Sequence, residues 1–173
     1  MGLLINGVWK DQWYDTAKTK GRFVREASIF REQIGSKDYP AEKNRYHLYI
    51  SHACPWAHRT VIFRELKGLQ KIISLSAVEP LMGNDGWHFS KTGDKINHKR
   101  FLHEIYTLAD SKYTGRVTVP ILWDKQKNTI VNNESSEIIR MFNSGFNHLT
   151  NQQADYYPKA LQPEIDQINQ IIY

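Results

Sequence analysis

The sequence lacks a second cysteine and has no apolar run long enough to cross a membrane. Because Cys54 stands alone, no internal disulfide can form, which suits a reducing compartment. The apolar runs are all far shorter than the roughly 20 residues that a membrane-spanning helix needs. We therefore expect a globular, cytoplasmic protein with no membrane partner.

Targeting signals are also missing from the N-terminal stretch MGLLINGVWKDQW. This stretch has neither a charged start nor a long apolar segment, so it does not have the composition of a signal peptide. Asn6 occupies the position where a myristoylation signal requires Ser or Thr. The sequence therefore predicts neither export nor lipid anchoring.

The charge is not strongly of one sign. The chain has 23 Lys and Arg against 18 Asp and Glu, a net charge of +5. The densest basic cluster, residues 91–100, has four Lys or Arg against one Asp and is accompanied by no zinc-finger or aromatic RNA-binding pattern. We expect no nucleic-acid partner, and a small anionic substrate fits the mild positive charge equally well.

The length of 173 residues, 40% of them apolar, is enough for one complete domain with some chain to spare. Residues 1–45 are polar and mixed, and their aromatic residues follow no sustained period. They predict an N-terminal extension that lies on a domain formed by residues 46–145. The aromatic residues that stand out in the extension are Trp9, Trp13, Tyr14 and Phe23.

The predicted domain begins with a strand, a helix and a second strand. Residues 45–51 alternate in polarity, as in a strand, and residues 55–68 have Pro at the start, Gly at the end and apolar residues at helical spacing. Residues 71–78 are a second apolar strand. A βαβ unit of this kind implies parallel pairing and a right-handed crossover.

The second half of the domain is predicted to contain two helices and a hairpin. A helix is expected around residues 101–109, and residues 116–124 and 129–133 have the spacing of two antiparallel strands. Residues 134–143 follow as a short helix. The order βαβ, helix, ββα, with a thiol at the first strand-to-helix turn and Val-Pro at the third strand, indicates a thioredoxin-like α/β fold.

The C-terminal stretch YYPKALQPEIDQINQIIY carries one apolar stripe at helical spacing. We interpret residues 146–173 as a linker and the first helix of a truncated helical domain. The rest of the chain does not obviously cover the stripe, so the isolated chain is expected to associate, for example as a homo-oligomer, or to be poorly soluble unless this helix packs back. The stripe consists of Ile165, Ile168, Ile171 and Ile172.

The stretch SHACPWAHR places Cys54 where a strand enters a helix. The free N–H groups and the positive end of the helix dipole at such a turn stabilise a thiolate. Pro55 suits the first helical turn because it has no N–H to leave unpaired. Ala57 replaces the second cysteine of a C-x-x-C motif, so a disulfide at Cys54 needs an outside thiol to resolve it. A small buried hydrophobic residue is the alternative interpretation of Cys54.

Three neighbours of Cys54 invite other interpretations. His52, Cys54 and His58 supply only three metal donors and no fourth is near, so no metal site is predicted. A Cys–His nucleophilic pair with His58 would also need an orienting group and an oxyanion hole, and a surface histidine is the simpler reading. Packing and substrate contact are equally compatible with Trp56.

Several motifs together resemble the glutathionyl-hydroquinone reductases, the xi class of glutathione transferases. These are LLINGVWKDQWYDT, SHACPWAHR, GNDGWHFS, RVTVPILWD and VNNESSEIIRMFN, and the resemblance covers essentially the whole chain. CPWA alone would be shared loosely with omega-class transferases and glutaredoxins. The resemblance implies the thioredoxin-like N-terminal domain of a glutathione transferase, followed by the start of an all-helical C-terminal domain.

The resemblance also implies that glutathione binds as co-substrate. Glu134 and Ser135 open a helix, so Ser135 would hold the γ-glutamyl carboxylate and Glu134 its ammonium, with helix capping as the alternative. Val119 precedes Pro120, which is expected to be cis and to turn the Val119 N–H and C=O toward the cysteinyl backbone; a strand-end proline is the alternative.

Two further glutathione contacts are implied by the resemblance. Trp87 in NDGW would form a wall near the sulfur, although loop packing would explain it nearly as well. Arg116 is a candidate partner for the glycine carboxylate, and an ordinary surface arginine is its alternative.

The activity implied is reduction of glutathionyl-hydroquinones through a mixed disulfide of Cys54 with glutathione. The family carries aromatic-substrate residues on its helical domain, so turnover by this shorter chain is expected to be impaired. An omega-like thioltransferase or dehydroascorbate reductase is a rival function. A non-catalytic transferase-like binding module, in which the thiol is incidental, is another.

Overall fold

The computed structural model describes residues 2–14, 17, 20–21 and 27–172 of the chain. The predicted extension over residues 1–45 therefore falls only partly within the described residues, and Phe23 lies outside them. Within the described residues, no helix is both long enough and apolar enough to cross a membrane.

In the described residues, seven strands and four α-helices make up the regular structure, together with two short 3₁₀ helices, Asn147–Leu149 and Lys159–Leu161. The strands are Leu3–Ile5 (β1), Val8–Lys10 (β2), Tyr46–Ser51 (β3), Ser74–Val78 (β4), Gly115–Arg116 (β5), Ile121–Asp124 (β6) and Thr129–Asn132 (β7). The helices are Pro55–Leu66 (α1), Leu102–Ala109 (α2), Ser135–Ser144 (α3) and Gln162–Ile172 (α4).

The main sheet has four strands in the order β4-β3-β6-β7. β3 pairs with β4 in parallel, and α1 connects them, as the βαβ prediction requires. β6 pairs antiparallel with both β3 and β7, which confirms the predicted hairpin. The thioredoxin-like order βαβ, helix, ββα is therefore confirmed.

One predicted strand is wrong. Residues 116–124 do not form a single strand, because β5 pairs with β1 in a separate small sheet and β6 belongs to the main sheet. The Val119–Pro120 bond between them is cis, as expected. Pro120 has no N–H to contribute to a ladder of strand hydrogen bonds, which explains why strand pairing starts again only at Ile121.

The strand predicted over residues 71–78 begins later than expected. Residues 69–73 form a turn after α1, in which the N–H groups of Ile72 and Ile73 both donate to the Leu69 carbonyl. Both isoleucines are buried. Their apolar character therefore reflects burial in the turn, and β4 starts at Ser74.

The N-terminal hairpin of β1 and β2 packs on the loop before α2. The Trp9 indole N–H donates to the Asn84 carbonyl at 2.9 Å, and its ring stacks on His103 of α2. Gly86 has a φ of +73°, and a Cβ there would lie 2.7 Å from the Trp9 ring. Glycine is therefore required at position 86 both for its conformation and for the approach of Trp9.

The buried core lies between the main sheet and the helices, and aromatic side chains provide much of its volume. Full burial of such a side chain contributes roughly 1.5–3 kcal/mol. The fully buried aromatic residues are Tyr46, Tyr49, Tyr106, Trp123, Phe142 and Phe146.

Most of the predicted isoleucine stripe on α4 is exposed. Ile168, Ile171 and Ile172 are 58%, 79% and 74% exposed, and Ile165 is half-buried. The helix is attached through polar contacts instead, since Asp166 pairs with Arg140 at 3.1 Å and accepts a hydrogen bond from Tyr157. The expected self-association stays a prediction.

His47 of β3 predicts a loss of stability in acid. The side chain is buried, its Nδ1 lies 2.7 Å from Ser74 Oγ, and its Nε2 has no partner among the described residues. Burial lowers the pKa of His47 from 6.5 to about 4. The unfolded chain therefore binds a proton that the folded chain excludes, and stability falls as the pH drops through this window. At about 1.4 kcal/mol per pKa unit, the free energy of unfolding should fall by about 3 kcal/mol across this window.

Urea unfolding between about pH 4 and pH 7 measures this effect. His47→Gln should flatten the pH dependence, whereas the exposed His58→Gln should leave it unchanged. Equal slopes for the native chain and His47→Gln would contradict the assignment.

Candidate active site

Cys54 lies at the junction between β3 and α1. It is the N-cap residue of α1, with extended backbone angles of φ −103° and ψ 115°, and Pro55 occupies the first helical position. Its N–H donates to the Ser51 carbonyl, and its own carbonyl accepts from His58 N–H, which closes the first turn. The half-buried thiol thus stands at the N-terminal end of α1, beside backbone N–H groups that have no partner within the helix.

Val119 lies beside this thiol although 65 residues separate the two in sequence. Cys54 Sγ is 3.7 Å from the Val119 carbonyl oxygen, at a distance where a thiol donates weakly. The cis bond to Pro120 follows directly. The structure therefore brings together the two motifs that the sequence linked, the cysteine turn and the Val-Pro segment.

Glu134 and Ser135 form the start of α3. Glu134 is its N-cap, and Glu134 Oε1 accepts hydrogen bonds from the N–H and the hydroxyl of Ser136 at 3.2 and 3.0 Å. Helix capping, the alternative noted for this pair, is therefore one role of the Glu134 side chain. Ser135 is fully buried.

Arg59 is a site residue that sequence reasoning missed. From α1 its guanidinium reaches across to α3 and donates to Ser135 Oγ from Nε at 3.0 Å and from Nη2 at 2.7 Å. Nη2 also lies 3.9 Å from Glu134 Oε1. No signal in the sequence pairs Arg59 with a serine 76 positions away, because only the packing of α1 against α3 brings them together.

The contacts of Trp87 and Arg116 in the structure are with residues other than Cys54, Val119, Glu134 and Ser135. Trp87 is buried in the core, and its carbonyl accepts from Leu102 N–H. The Arg116 guanidinium lies over the Tyr14 ring at 4.1 Å and donates to the Gln12 carbonyl. Both contacts of Arg116 are with the N-terminal segment, so the glutathione roles of these two residues stay predictions.

The residues around Cys54 offer no metal site in the part of the chain that the structure describes. No group of three or more His, Cys, Asp or Glu side chains there could hold a metal ion. His52, Trp56 and His58 are exposed. Trp56, next to the thiol, is 44% exposed and so is available for contact as well as packing.

Tyr106 of α2 connects the two halves of the site, a role that no pattern in the sequence predicts. Its buried hydroxyl donates to the Thr118 carbonyl at 2.9 Å. The same oxygen accepts from Thr118 N–H at 3.2 Å and from Asn133 Nδ2 at 3.1 Å. It therefore holds the residue before Val119 and the residue before Glu134 in one network.

A family model described as "Glutathione S-transferase, N-terminal domain" matches residues 53–144. This range includes the cysteine turn and the Val-Pro segment, and it covers the domain predicted over residues 46–145 except for its first seven residues and its last one.

Curated relatives share similarity with the whole chain. This chain is 54% identical over 187 residues to glutathionyl-hydroquinone reductase YqjG of Escherichia coli strain K12. It is 52% identical over 177 residues to glutathionyl-hydroquinone reductase PcpF of Sphingobium chlorophenolicum. These alignments cover 100% of this chain but only 57% and 56% of the relatives. The chain thus spans a little over half the length of the curated relatives it matches.

Solved structures share the fold. The glutathione-bound structure of YqjG aligns with this chain at a TM-score of 0.85 and 47% identity. The alignment covers 99% of this chain and 55% of the YqjG chain. The glutathione-S-transferase Xi of Phanerochaete chrysosporium also has a TM-score of 0.85 at 47% identity, over 87% of this chain and 54% of that one.

Tyr106→Phe should lower the free energy of unfolding by about 1–3 kcal/mol, because it leaves the buried Asn133 amide and the partly buried Thr118 N–H without their partner. Urea denaturation measures the loss. Tyr46→Phe is the matched control, since the Tyr46 hydroxyl has one recorded bond, to the Pro40 carbonyl. A smaller loss for Tyr106→Phe than for Tyr46→Phe would show that the network does not hold the site together.

Proposed function

The chain belongs to the glutathione S-transferase family, and we propose that it forms the glutathione-binding part of a glutathionyl-hydroquinone reductase. The observation that carries this proposal is the Cys54 thiol at the start of α1, 3.7 Å from the Val119 carbonyl. The similarity of the whole chain to two reductases of this name supports the substrate class.

Glutathione is proposed to lie along the Val119–Pro120 segment with its sulfur toward Cys54. The Val119 backbone would pair with the cysteinyl backbone of glutathione in the manner of an added strand. At the start of α3, Ser135 would bind the γ-glutamyl carboxylate and Glu134 its ammonium. Trp87 and Arg116 are proposed as the wall near the sulfur and the partner of the glycine carboxylate.

The proposed reaction has two steps. The Cys54 thiolate attacks the sulfur of the glutathionyl-hydroquinone, the bond from that sulfur to the aromatic carbon breaks, and the carbon takes up a proton to release the hydroquinone. A second glutathione thiolate then attacks the mixed disulfide, which releases oxidised glutathione and restores the Cys54 thiolate. The sulfur atoms are oxidised and the aromatic carbon is reduced, so one cysteine is sufficient.

The proposal includes a division of labour along the chain. Residues 1–45 would be an extension, residues 46–145 the glutathione-binding domain, and residues 146–173 a linker and the first helix of a helical domain that supplies the hydroquinone pocket. The exposed face of α4 supports this division and also supports self-association of the isolated chain. A cytoplasmic location fits a lone cysteine whose reaction consumes glutathione.

Mass spectrometry after exposure to oxidised glutathione tests the proposal. We expect one added glutathionyl group on the native chain, because the Cys54 thiolate attacks the disulfide and one glutathione thiolate leaves. Cys54→Ser is the control and should take up none. Incubation with reduced glutathione should then remove the adduct.

An intact chain that takes up no glutathionyl group would refute the catalytic role and favour the binding module. Faster turnover of small disulfides than of glutathionyl-hydroquinones, by a protein of the relatives' full length, would favour the omega-like thioltransferase instead.

A further inference from the structure

The contact between Arg59 and Ser135 determines which hydrogen bonds the serine can make. A serine hydroxyl has two acceptor lone pairs and one donor proton. Arg59 directs Nε–H and Nη2–H at the same Ser135 oxygen, at 3.0 and 2.7 Å. Both lone pairs are therefore occupied, and Ser135 makes no bond as a donor among the described residues.

The remaining capacity of Ser135 is a single O–H donor. A carboxylate only accepts hydrogen bonds, whereas an ammonium group only donates them. Because Arg59 occupies both lone pairs, Ser135 can donate a hydrogen bond to a carboxylate but cannot accept one from an ammonium group. The positive charge of Arg59 also polarises the hydroxyl, which strengthens it as a donor.

The neighbouring Glu134 has the opposite polarity. Its carboxylate is an acceptor, held in place by Ser136 and 3.9 Å from Arg59 Nη2. Two adjacent positions at the start of α3 thus present one donor and one acceptor. This pair is complementary to a group that carries a carboxylate and an ammonium on the same carbon, as the γ-glutamyl end of glutathione does.

We propose that Arg59 is a positioning residue for glutathione, acting through Ser135: it fixes the Ser135 hydroxyl as a donor to the γ-glutamyl carboxylate. The inference rests on the proposed function, since it names the residue that prepares that site. It also links the helix that carries Cys54 to the helix that binds the far end of glutathione, because Arg59 lies on α1 and Ser135 on α3.

The rate of Cys54 glutathionylation at increasing concentrations of oxidised glutathione tests this inference on the whole chain. Arg59→Met should raise the half-saturating concentration about tenfold or more, the effect of losing a charge-assisted hydrogen bond. The limiting rate should stay within about twofold, because Arg59 acts on binding and not on the thiol. Arg59→Lys has a single ammonium in place of the guanidinium fork. Its half-saturating concentration should lie between those of the native chain and Arg59→Met.

Arg64→Met is the matched control. Arg64 lies on the same helix and likewise donates hydrogen bonds from its guanidinium, but to the backbone carbonyls of Ile73 and Gln70 and not to Ser135. Its half-saturating concentration should equal that of the native chain. Far-UV circular dichroism checks that each variant is folded.

A double-mutant cycle distinguishes action through Ser135 from direct contact with the ligand. In a Ser135→Ala chain, Arg59→Met should raise the half-saturating concentration by less than about twofold. An undiminished effect in that background, an unchanged value for Arg59→Met alone, or an equal rise for Arg64→Met would each overturn the inference. If Arg59→Met does not fold, Arg59→Lys enters the same cycle.

The failure of the proposed function has a different signature. A native chain that forms no adduct at any concentration removes the reductase proposal and this inference with it. A native chain that saturates normally, together with an Arg59 series that shows no change, removes only the inference.

Discussion

The buried hydroxyl of Tyr106 is the contact on which the geometry of the site depends. It binds the backbone of Thr118 on both its N–H and its carbonyl side, and it accepts a third bond from Asn133. Thr118 precedes the Val119–Pro120 segment, and Asn133 precedes the cap of α3. The Asn133 side chain is buried and the Thr118 backbone groups are partly buried, so each would be costly to leave without a partner. One phenol oxygen thereby connects the two backbone segments that are proposed to bind glutathione.

The sheet explains why three distant segments meet at one place. β3 and β6 are antiparallel, with Tyr49 opposite Ile121, so the end of β3 lies beside the start of β6. β6 and β7 are antiparallel in turn, with Leu122 opposite Asn132. Cys54 follows the end of β3, Val119 precedes β6, and Glu134 follows β7. With the strand order β4-β3-β6-β7, the thiol, the cis bond and the start of α3 therefore all lie at the same end of the strands.

The arrangement places the proposed reaction and the proposed recognition of glutathione at separate points. Cys54 is positioned by the start of α1 and lies beside the Val119 carbonyl. The far end of the proposed ligand is met by α3, whose first residues are set by capping bonds and by Arg59. Because Arg59 projects from the helix that begins at Cys54 and contacts Ser135 of α3, the spacing between the thiol and the start of α3 is set by the packing of α1 on α3.

The amino-acid sequence by itself determined the features that depend on near neighbours. A proline at the first helical position places the start of α1 after Cys54, and a polar pair before an apolar helical period places the start of α3 at Glu134. The same local reading failed for residues 116–124, where apolar alternation hid the division between two sheets. Only the tertiary structure decided that division, the hydrogen-bond polarity of Ser135 and the role of Tyr106. The physical reason is that a hydrogen bond between residues far apart in the chain leaves no periodic trace in either segment, and it forms only after both have packed.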